Sequence, residues 1–340
     1  MRKRWIAAAV FFLAFLAGGC RGAAPGTADS APYEEEPEGS REHIVIGFSQ
    51  IGSESDYRTA NTESFKDTFT IENGYYLLFE DAQQKQENQL KAIRNFILQE
   101  VDYIILDPIV ETGWDAVLQE ARDAGIPVIL ADRSVEVSDT DLYTCWVGSD
   151  FEEEGHTAGE WLVGYLDEQG RSEEKINIVT LQGTPESTAQ IGRTSGFAQV
   201  LDTQHNWNML EYQSGDFTQA KGKEVMEYFL CTYEDIDVLV SENDNMTFGA
   251  IDAIQEAGRT CGPDGEIIVI SFDGGRAAFE AMVRGEINVD VECNPIFAEQ
   301  VAEIIDKLEK GEKVEKIYYV DEQYFDTSMD LEKIMEGRSF

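Results

Sequence analysis

Short apolar runs rich in β-branched residues alternate with helix-length segments in two successive blocks of the chain. In the first block the pattern predicts strands at 44–49, 75–80, 103–107 and 127–131, and helices at 59–72, 86–99 and 113–124. In the second block it predicts strands at 176–182, 207–213, 237–241 and 267–272, and helices at 188–202, 218–231 and 246–257. This alternation is typical of parallel sheets with helices on both faces, so we expect two similar α/β lobes.

The segment after the second block predicts a further helix. Residues 295–310 have an amphipathic pattern that starts at Pro295, and no strand of their own precedes them. We therefore expect this helix to return to the first lobe, and residues 317–320 to form another strand.

Polar and aromatic side chains follow the ends of the predicted strands. In an open α/β sheet, ligands bind beyond the carboxyl ends of the strands. The set offers many hydrogen-bond donors and acceptors but no nucleophile paired with a base, so it suits a neutral polyhydroxylated ligand. We expect no catalytic turnover, no metal and no cofactor. The set comprises Ser53, Glu54, Tyr57, Arg58, Asp107, Asp132, Arg133, Asn243, Asp244 and Asp273.

Composition indicates the type of protein, and the net charge excludes one class of ligand. The 340 residues are 42% hydrophobic and 27% charged, which is typical of a globular protein. The formal net charge of −40 repels phosphate backbones, so nucleic-acid binding is excluded.

The first residues have the pattern of a bacterial lipoprotein signal peptide. Arg2 to Arg4 are basic, residues 5–16 are apolar but too few to span a bilayer, and small residues precede Cys20. We expect residues 1–20 to be the signal peptide with its lipobox, Cys20 to be lipidated, and residues 21–41 to be a flexible acidic tether. The folded part would then lie outside the cytoplasm, anchored to the membrane of either envelope type.

Four further cysteines fit no zinc-binding spacing. Cys231 and Cys261 both precede a predicted strand, which leaves a disulfide between them open. Cys145 and Cys293 are expected to pack as small hydrophobic residues.

Several segments resemble the sugar-binding lipoproteins and periplasmic proteins of bacterial ABC importers, in the ribose and galactose group. Within this group, the resemblance is strongest to galactofuranose-binding proteins, and it covers about residues 42–337. The segments are GFSQIGSESDYR (47–58), QQKQENQ (83–89), ETGWD (111–115), DRS (132–134), LQGT (181–184), SGDFTQAKGKEVME (214–227), END (242–244) and FDG (272–274).

This resemblance implies a type I periplasmic binding protein fold, with two Rossmann-like lobes that are joined by three crossings and close on a ligand. The crossings would lie near 149–150, 293–294 and 320–321. The N-terminal lobe would comprise residues 42–149 and 294–321, and the C-terminal lobe residues 150–293 and 322–340. We expect a monomer that captures a monosaccharide and delivers it to an ABC importer permease. The alternative is a sugar-sensing component that presents its ligand to a sensor kinase or chemoreceptor.

The resemblance also suggests a role for individual side chains. Tyr57 and Phe217 would cover the faces of the sugar, and Tyr57 replaces the tryptophan of the galactofuranose type. Asp132 and Arg133 would bind hydroxyl groups, unless they form only a surface salt bridge with each other. Phe217 alternatively packs in the core, and Asp244 alternatively caps a helix. Further contacts are expected from Arg58, Arg193, Asn243 and Asp273, and from Ser53 and Glu54 in the loop. Asp107 departs from the pattern of close relatives, and it either adds an acceptor for the ligand or forms an ion pair nearby. The choice between Glu292 and Cys293 as the cleft residue stays open.

Overall fold

The computed structural model describes residues 43–338 and residue 340. The predictions for the signal peptide, for Cys20 and for the tether lie outside these residues. Within the described range, no helix is long and apolar enough to cross a membrane.

The structure contains strands and helices in alternation. The strands are β1 (Ile44–Gln50), β2 (Tyr75–Asp81), β3 (Tyr103–Leu106), β4 (Val128–Ala131), β5 (Cys145–Gly148), β6 (Ile176–Gln182), β7 (Trp207–Ser214), β8 (Val238–Ser241), β9 (Ile268–Asp273), β10 (Val289–Glu292), β11 (Ile317–Tyr319) and β12 (Tyr324–Asp326). The helices are α1 (Asp56–Thr68), α2 (Gln86–Leu98), α3 (Asp115–Ala124), α4 (Phe151–Glu168), α5 (Thr188–Leu201), α6 (Gln219–Thr232), α7 (Asp244–Glu256), α8 (Arg276–Val283), α9 (Ala298–Glu309) and α10 (Leu331–Glu336). A short 3-10 helix spans Thr140–Leu142.

Two six-stranded sheets organise the fold, and each defines one lobe. The sheet of the first lobe has the order β11-β5-β4-β3-β1-β2, and its neighbouring strands are all parallel. The sheet of the second lobe has the order β12-β10-β9-β8-β6-β7, and only β12 runs antiparallel to its neighbour. The expected α/β class with similar lobes is therefore confirmed.

The chain passes between the sheets at three places, which we call the crossings. The first crossing connects β5 to α4, the second connects β10 to α9, and the third connects β11 to β12. Helix α9 returns to the first lobe, where Phe297 packs edge-on against Phe65 at 5.6 Å between ring centres. The side-chain amide of Asn61 donates to the carbonyl oxygen of Pro295 at 3.0 Å and so ties the second crossing to helix α1.

Helix α1 begins at Asp56, three residues before the predicted start. The Ser55 hydroxyl accepts a hydrogen bond from the Arg58 backbone N–H at 3.1 Å, which is the usual N-cap interaction. Tyr57 and Arg58 therefore lie in the first turn of a helix, with fixed backbone positions.

Helix α4 was not predicted, because its three glycines weaken the helical pattern. Two glycines explain why α4 and α5 pack so closely. A Cβ atom on Gly155 would lie 2.1 Å from the backbone oxygen of Arg193, and one on Gly196 would lie 1.9 Å from that of Glu152. This close packing places Arg193 of α5 against Glu154 of α4.

The four described cysteines have free thiols. Cys231 is exposed and Cys261 is buried, so the disulfide left open by the sequence is not formed. Cys145 and Cys293 are buried, in agreement with the expectation that they pack as small residues.

Candidate functional site

A cavity lies between the lobes, where the carboxyl ends of both sheets face each other. Three hydrogen bonds donated by backbone N–H groups connect the lobes around it. Glu111 N–H donates to the Glu186 carbonyl oxygen at 3.0 Å, Asp56 N–H to Asn245 Oδ1 at 3.0 Å, and Ser134 N–H to Thr188 Oγ1 at 3.2 Å. The lining residues are Glu54, Ser55, Tyr57, Arg58, Asp132, Arg133, Phe151, Ala189, Arg193, Phe217, Asn243, Asp273 and Cys293.

Arg58 holds the first-lobe side of the cavity together. Its Nη2 donates to Asp132 Oδ2 at 2.7 Å, its Nε donates to Glu54 Oε1 at 3.3 Å, and its Nη1 contacts Asp107. Burial alone would lower the pKa of Arg58, but Asp107, Asp132 and Glu54 raise it well above its usual value. The guanidinium is therefore permanently charged and held in one orientation.

Asp107 lies behind Arg58 and does not line the cavity. Its side chain is fully buried, and burial raises its pKa even though Arg58 acts in the opposite direction. Of the two roles expected for Asp107, the structure shows the ion pair, because this residue contacts Arg58 and holds it in place.

Tyr57 and Asp132 form a pair at the cavity wall. The Tyr57 hydroxyl donates to Asp132 Oδ1 at 2.9 Å. Burial, followed by the negative charge of Asp132, raises the pKa of Tyr57, so the hydroxyl keeps its proton and remains a donor. Asp132 thus receives hydrogen bonds on both carboxylate oxygens from the first turn of helix α1.

Arg133 is buried but incompletely paired. Its Nη1 donates to the Ile109 carbonyl at 3.0 Å, whereas its Nε has no hydrogen-bond partner among the described residues. The Arg133 Nε lies 3.9 Å from Asp132 Oδ2, and both side chains are at most 4% exposed. The alternative of a surface salt bridge is therefore wrong. Burial and the nearby Arg58 lower the pKa of Arg133.

Phe217 covers the cavity from the second lobe. The Arg133 guanidinium carbon lies 5.2 Å from the centre of its ring, within the range of a cation–π interaction. The ring also contacts Gly183 so closely that a Cβ atom there would lie 1.8 Å from it. Phe217 is 4% exposed, so it belongs to the core and to the cavity wall at once.

Arg193 is the buried cation of the second lobe. Its Nε donates to Glu154 Oε2 at 2.6 Å, its Nη1 contacts the Glu242 carbonyl, and its Nη2 lies 3.6 Å from Asp273 Oδ1. Burial alone would lower the pKa of Arg193, but Glu154 and other neighbours raise it well above its usual value. Burial raises the pKa of Asp273, with Arg193 acting against this.

Asn243, and not Asp244, caps helix α7. The Asn243 Oδ1 accepts from Met246 N–H at 2.9 Å, and its Nδ2 donates to the Phe217 carbonyl at 3.3 Å. Asp244 lies outside this cavity and accepts from the Ser271 hydroxyl at 2.7 Å and from Gly275 N–H at 2.9 Å. The alternative that Asp244 caps the helix is thus wrong.

Other predicted residues also differ in their placement. Ser53 is exposed and does not line the cavity, because the neighbouring Ser55 points inward as the cap of α1. Glu292 turns to Arg338, with 2.9 Å between Oε1 and Nη1, so Cys293 is the residue that faces the cavity. Ser55, Phe151 and Ala189 line the cavity and were missed. The position of Phe151 directly after the first crossing was the only signal that could have found it.

Three cavity residues have left-handed backbone conformations. Asp132 and Phe217 each have φ of 58°, and Asp273 has φ of 114°. Such conformations are costly for residues with a Cβ atom, and strain of this kind clusters at functional sites. The arrangement therefore offers an aromatic face, three fixed arginines and several carboxylates to one small ligand with many hydroxyl groups.

Comparison with known proteins places this geometry in a family. Residues 46–313 match the model of the periplasmic binding protein domain. The galactofuranose-binding protein YtfQ of Escherichia coli is 42% identical over 278 residues, which cover 81% of this chain and 85% of that protein. The fructose import binding protein FruE of Bifidobacterium longum is 28% identical, with 85% and 86% covered.

Solved structures agree with these matches. A protein of Mycobacterium smegmatis in complex with β-D-fucofuranose is 40% identical, with a TM-score of 0.82 and coverage of 86% of this chain and 94% of that chain. The periplasmic component of an arabinose ABC transporter of Shewanella, bound to α- and β-L-arabinofuranose, is 41% identical, with a TM-score of 0.79 and coverage of 87% and 99%.

Proposed function

We propose, because this chain belongs to the periplasmic binding protein domain family, that it is the solute-binding component of a sugar importer and not an enzyme. The two lobes would enclose one monosaccharide in the cavity. The bound sugar would then pass to the permease of an ABC importer. Similarity to import-binding proteins favours this role over that of a sensor component.

The observation that carries the proposal is the unpaired Nε of Arg133. A buried donor without a partner costs free energy, so such a group is expected to meet an acceptor in the ligand complex. The ring of Phe217 lies beside it and can cover the C–H face of a sugar, while Asp132 and Asp273 accept from hydroxyl groups. A sugar supplies all three kinds of contact at once.

The proposed ligand class is furanose sugars, with galactofuranose first. Relatives with about 40% identity are named as galactofuranose-binding proteins, or their structures contain bound β-D-fucofuranose or L-arabinofuranose. We further propose that the protein acts outside the cytoplasm as a monomer, anchored through a lipid on Cys20.

Ring size can be tested with sugars that can form only one ring. 5-Deoxy-D-galactose has no O5 and closes as a furanose, whereas 4-deoxy-D-galactose has no O4 and closes as a pyranose. Calorimetry with fragment 42–340 should show binding of the 5-deoxy sugar and none of the 4-deoxy sugar. Binding of only the 4-deoxy sugar would contradict the furanose class. Binding of neither these sugars nor D-galactose, D-fucose and L-arabinose would contradict the proposed function itself.

A further inference from the structure

A second cluster of reactive side chains lies beside the cavity, at the crossings. Glu154, Cys293 and Glu322 each place one carboxylate oxygen or sulfur atom within 4.8 Å of the others. We call these three residues the hinge cluster. Glu154 and Cys293 are buried, and Glu322 is partly buried.

One carboxyl oxygen of the hinge cluster joins all three crossings. Glu322 itself belongs to the third crossing, and its Oε1 accepts from the Ser149 hydroxyl of the first crossing at 2.6 Å. The same oxygen accepts from the Asn294 backbone N–H of the second crossing at 2.8 Å. Ser149 Oγ also lies 3.3 Å from Cys293 Sγ. Any rotation of the lobes must therefore move the partners of Glu322.

The hinge cluster also contacts the cavity. Cys293 lines the cavity directly, and Glu154 accepts from Arg193, which lines it from α5. Because Cys293 lines the cavity between the lobes, separation of the lobes would expose this side of the cluster to water. The environment of the cluster thus depends on whether the lobes are closed.

The charges around the hinge cluster leave Glu322 without a cation. Arg193 is the nearby positive charge, and it is shared between Glu154 and Asp273. No cation of the described residues lies within salt-bridge distance of Glu322. The titratable and charged groups that face the cluster are Glu154 from α4, Arg193 from α5, Asp273 from β9, Asp132 after β4, and the Cys293 thiol.

We propose that Glu322 is a positioning residue that joins the three crossings in its neutral form, so that closure of the lobes on a sugar takes up a proton. This inference rests on the proposed function, since it is the sugar that stabilises the closed form. The neutral form fits the site because the Glu322 carboxyl group lies within 4.8 Å of the Glu154 carboxylate and has no cation of its own, so the two groups repel each other less when Glu322 carries a proton.

Burial, followed by the charge of Glu154, raises the pKa of Glu322 to about 9. In the open form, contact with water returns this pKa toward the ordinary value for Glu, about 4.3. The closed form therefore holds a proton that the open form has lost at neutral pH. Sugar affinity should be highest at low pH and should fall as the pH rises toward about 9, by at most about tenfold per pH unit.

The first experiment measures proton uptake. Titration calorimetry of the full chain with D-galactose, D-fucose and L-arabinose, in buffers of different ionisation enthalpy at pH 7.5, gives the number of protons taken up per sugar bound. Wild type should take up a proton, and Glu322→Gln should not, because the amide keeps the shape but cannot titrate. The exposed Glu312→Gln serves as control and should behave as wild type. Equal uptake by Glu322→Gln and wild type would overturn the proposal.

A second measurement detects the proton on Glu322 directly. Infrared titration of the sugar-bound wild type, with sugar-bound Glu322→Gln subtracted, should show the band of a protonated carboxyl group at pH 7 that disappears near pH 9. A Glu322 that is ionised at pH 7 in the sugar complex overturns this proposal and leaves the proposed function intact, whereas failure of every sugar to bind contradicts the proposed function, so the two failures can be told apart. Stoichiometric binding of Zn²⁺ that is lost in both Cys293→Ala and Glu322→Gln would also overturn it, since the hinge cluster would then be a metal site.

Discussion

Substitution of Arg133 by Met separates ligand binding from folding in this protein. Arg58 and Arg133 are both buried arginines of the cavity, yet they differ in pairing. Arg58 contacts three carboxylates, whereas Arg133 donates to one carbonyl and leaves its Nε without a partner. If the Nε of Arg133 is reserved for the sugar, its loss should weaken binding strongly and stability only slightly.

The magnitudes follow from these contacts. A hydrogen bond to a charged group contributes about 1.5–3 kcal/mol, so Arg133→Met should lower sugar affinity by about 10- to 150-fold. Removal of an unpaired buried donor offsets the lost bond to the Ile109 carbonyl, and we expect the melting temperature to change by no more than about 2–4 °C. Arg58→Met instead leaves buried carboxylates without a cation, which costs about 3–5 kcal/mol of stability.

Calorimetry with the cognate sugar and thermal unfolding monitored by circular dichroism measure the two effects. Arg94→Met is the matched control, because Arg94 is 47% exposed and its salt bridge to Glu120 lies on the surface. A dissociation constant of Arg133→Met within about threefold of wild type would refute the reasoning, as would equal destabilisation by Arg133→Met and Arg58→Met.

Three further predictions concern the Phe217 wall, the core of the second lobe and the N-terminus. Gly183→Ala should weaken sugar binding because its Cβ displaces the Phe217 ring, whereas Gly164→Ala, with no atom within 4 Å of its Cβ, should bind as wild type; calorimetry on both decides this. Burial raises the pKa of Asp290 to about 7, so the folded form holds its proton more tightly than the unfolded chain, and stability should fall as pH rises from about 4 to 7. The melting temperature of Asp290→Asn should lack this part of the decrease, and an identical pH profile in both proteins would contradict the assignment. Cys20→Ala should release the protein from the membrane fraction in cells or leave an unprocessed precursor, and a processed variant that stays membrane-bound would argue against lipidation.

The regular elements could be predicted where the pattern was long and consistent. The strands from β1 to β4 and from β6 to β9 were found because each contains several apolar or β-branched residues in a short segment, although β2 and β7 are only partly buried. Strand β10 was not assigned, because its sequence VDVE contains two carboxylates that are buried through tertiary contacts. Helix α4 was missed for a related reason, since two of its glycines, Gly155 and Gly159, are explained only by their close contact with helix α5.

The strand ends predicted most of the residues of the site, but not which of these residues pair with each other. The sequence indicated that Arg58, Asp107 and Asp132 belong to one site. It did not indicate which of them line the cavity, and the structure shows that Asp107 lies behind Arg58 and does not. The choice between Glu292 and Cys293 required the position of Arg338, which comes from the far end of the chain. Residues that are far apart in the sequence and come into contact only in the folded protein leave no signal in the local sequence.

The left-handed backbone at Asp132, Phe217 and Asp273 limits which substitutions can change the sugar preference of this protein. At these positions, most substitutions carry a conformational cost in addition to any effect on the ligand, and Asn or Gly are the exchanges with the lowest cost. Tyr57, Phe151 and Arg193 lie on helices with ordinary backbone angles and carry no such penalty. A library that randomises the cavity should therefore return new specificities through the three helical positions, while the three left-handed positions keep their residues.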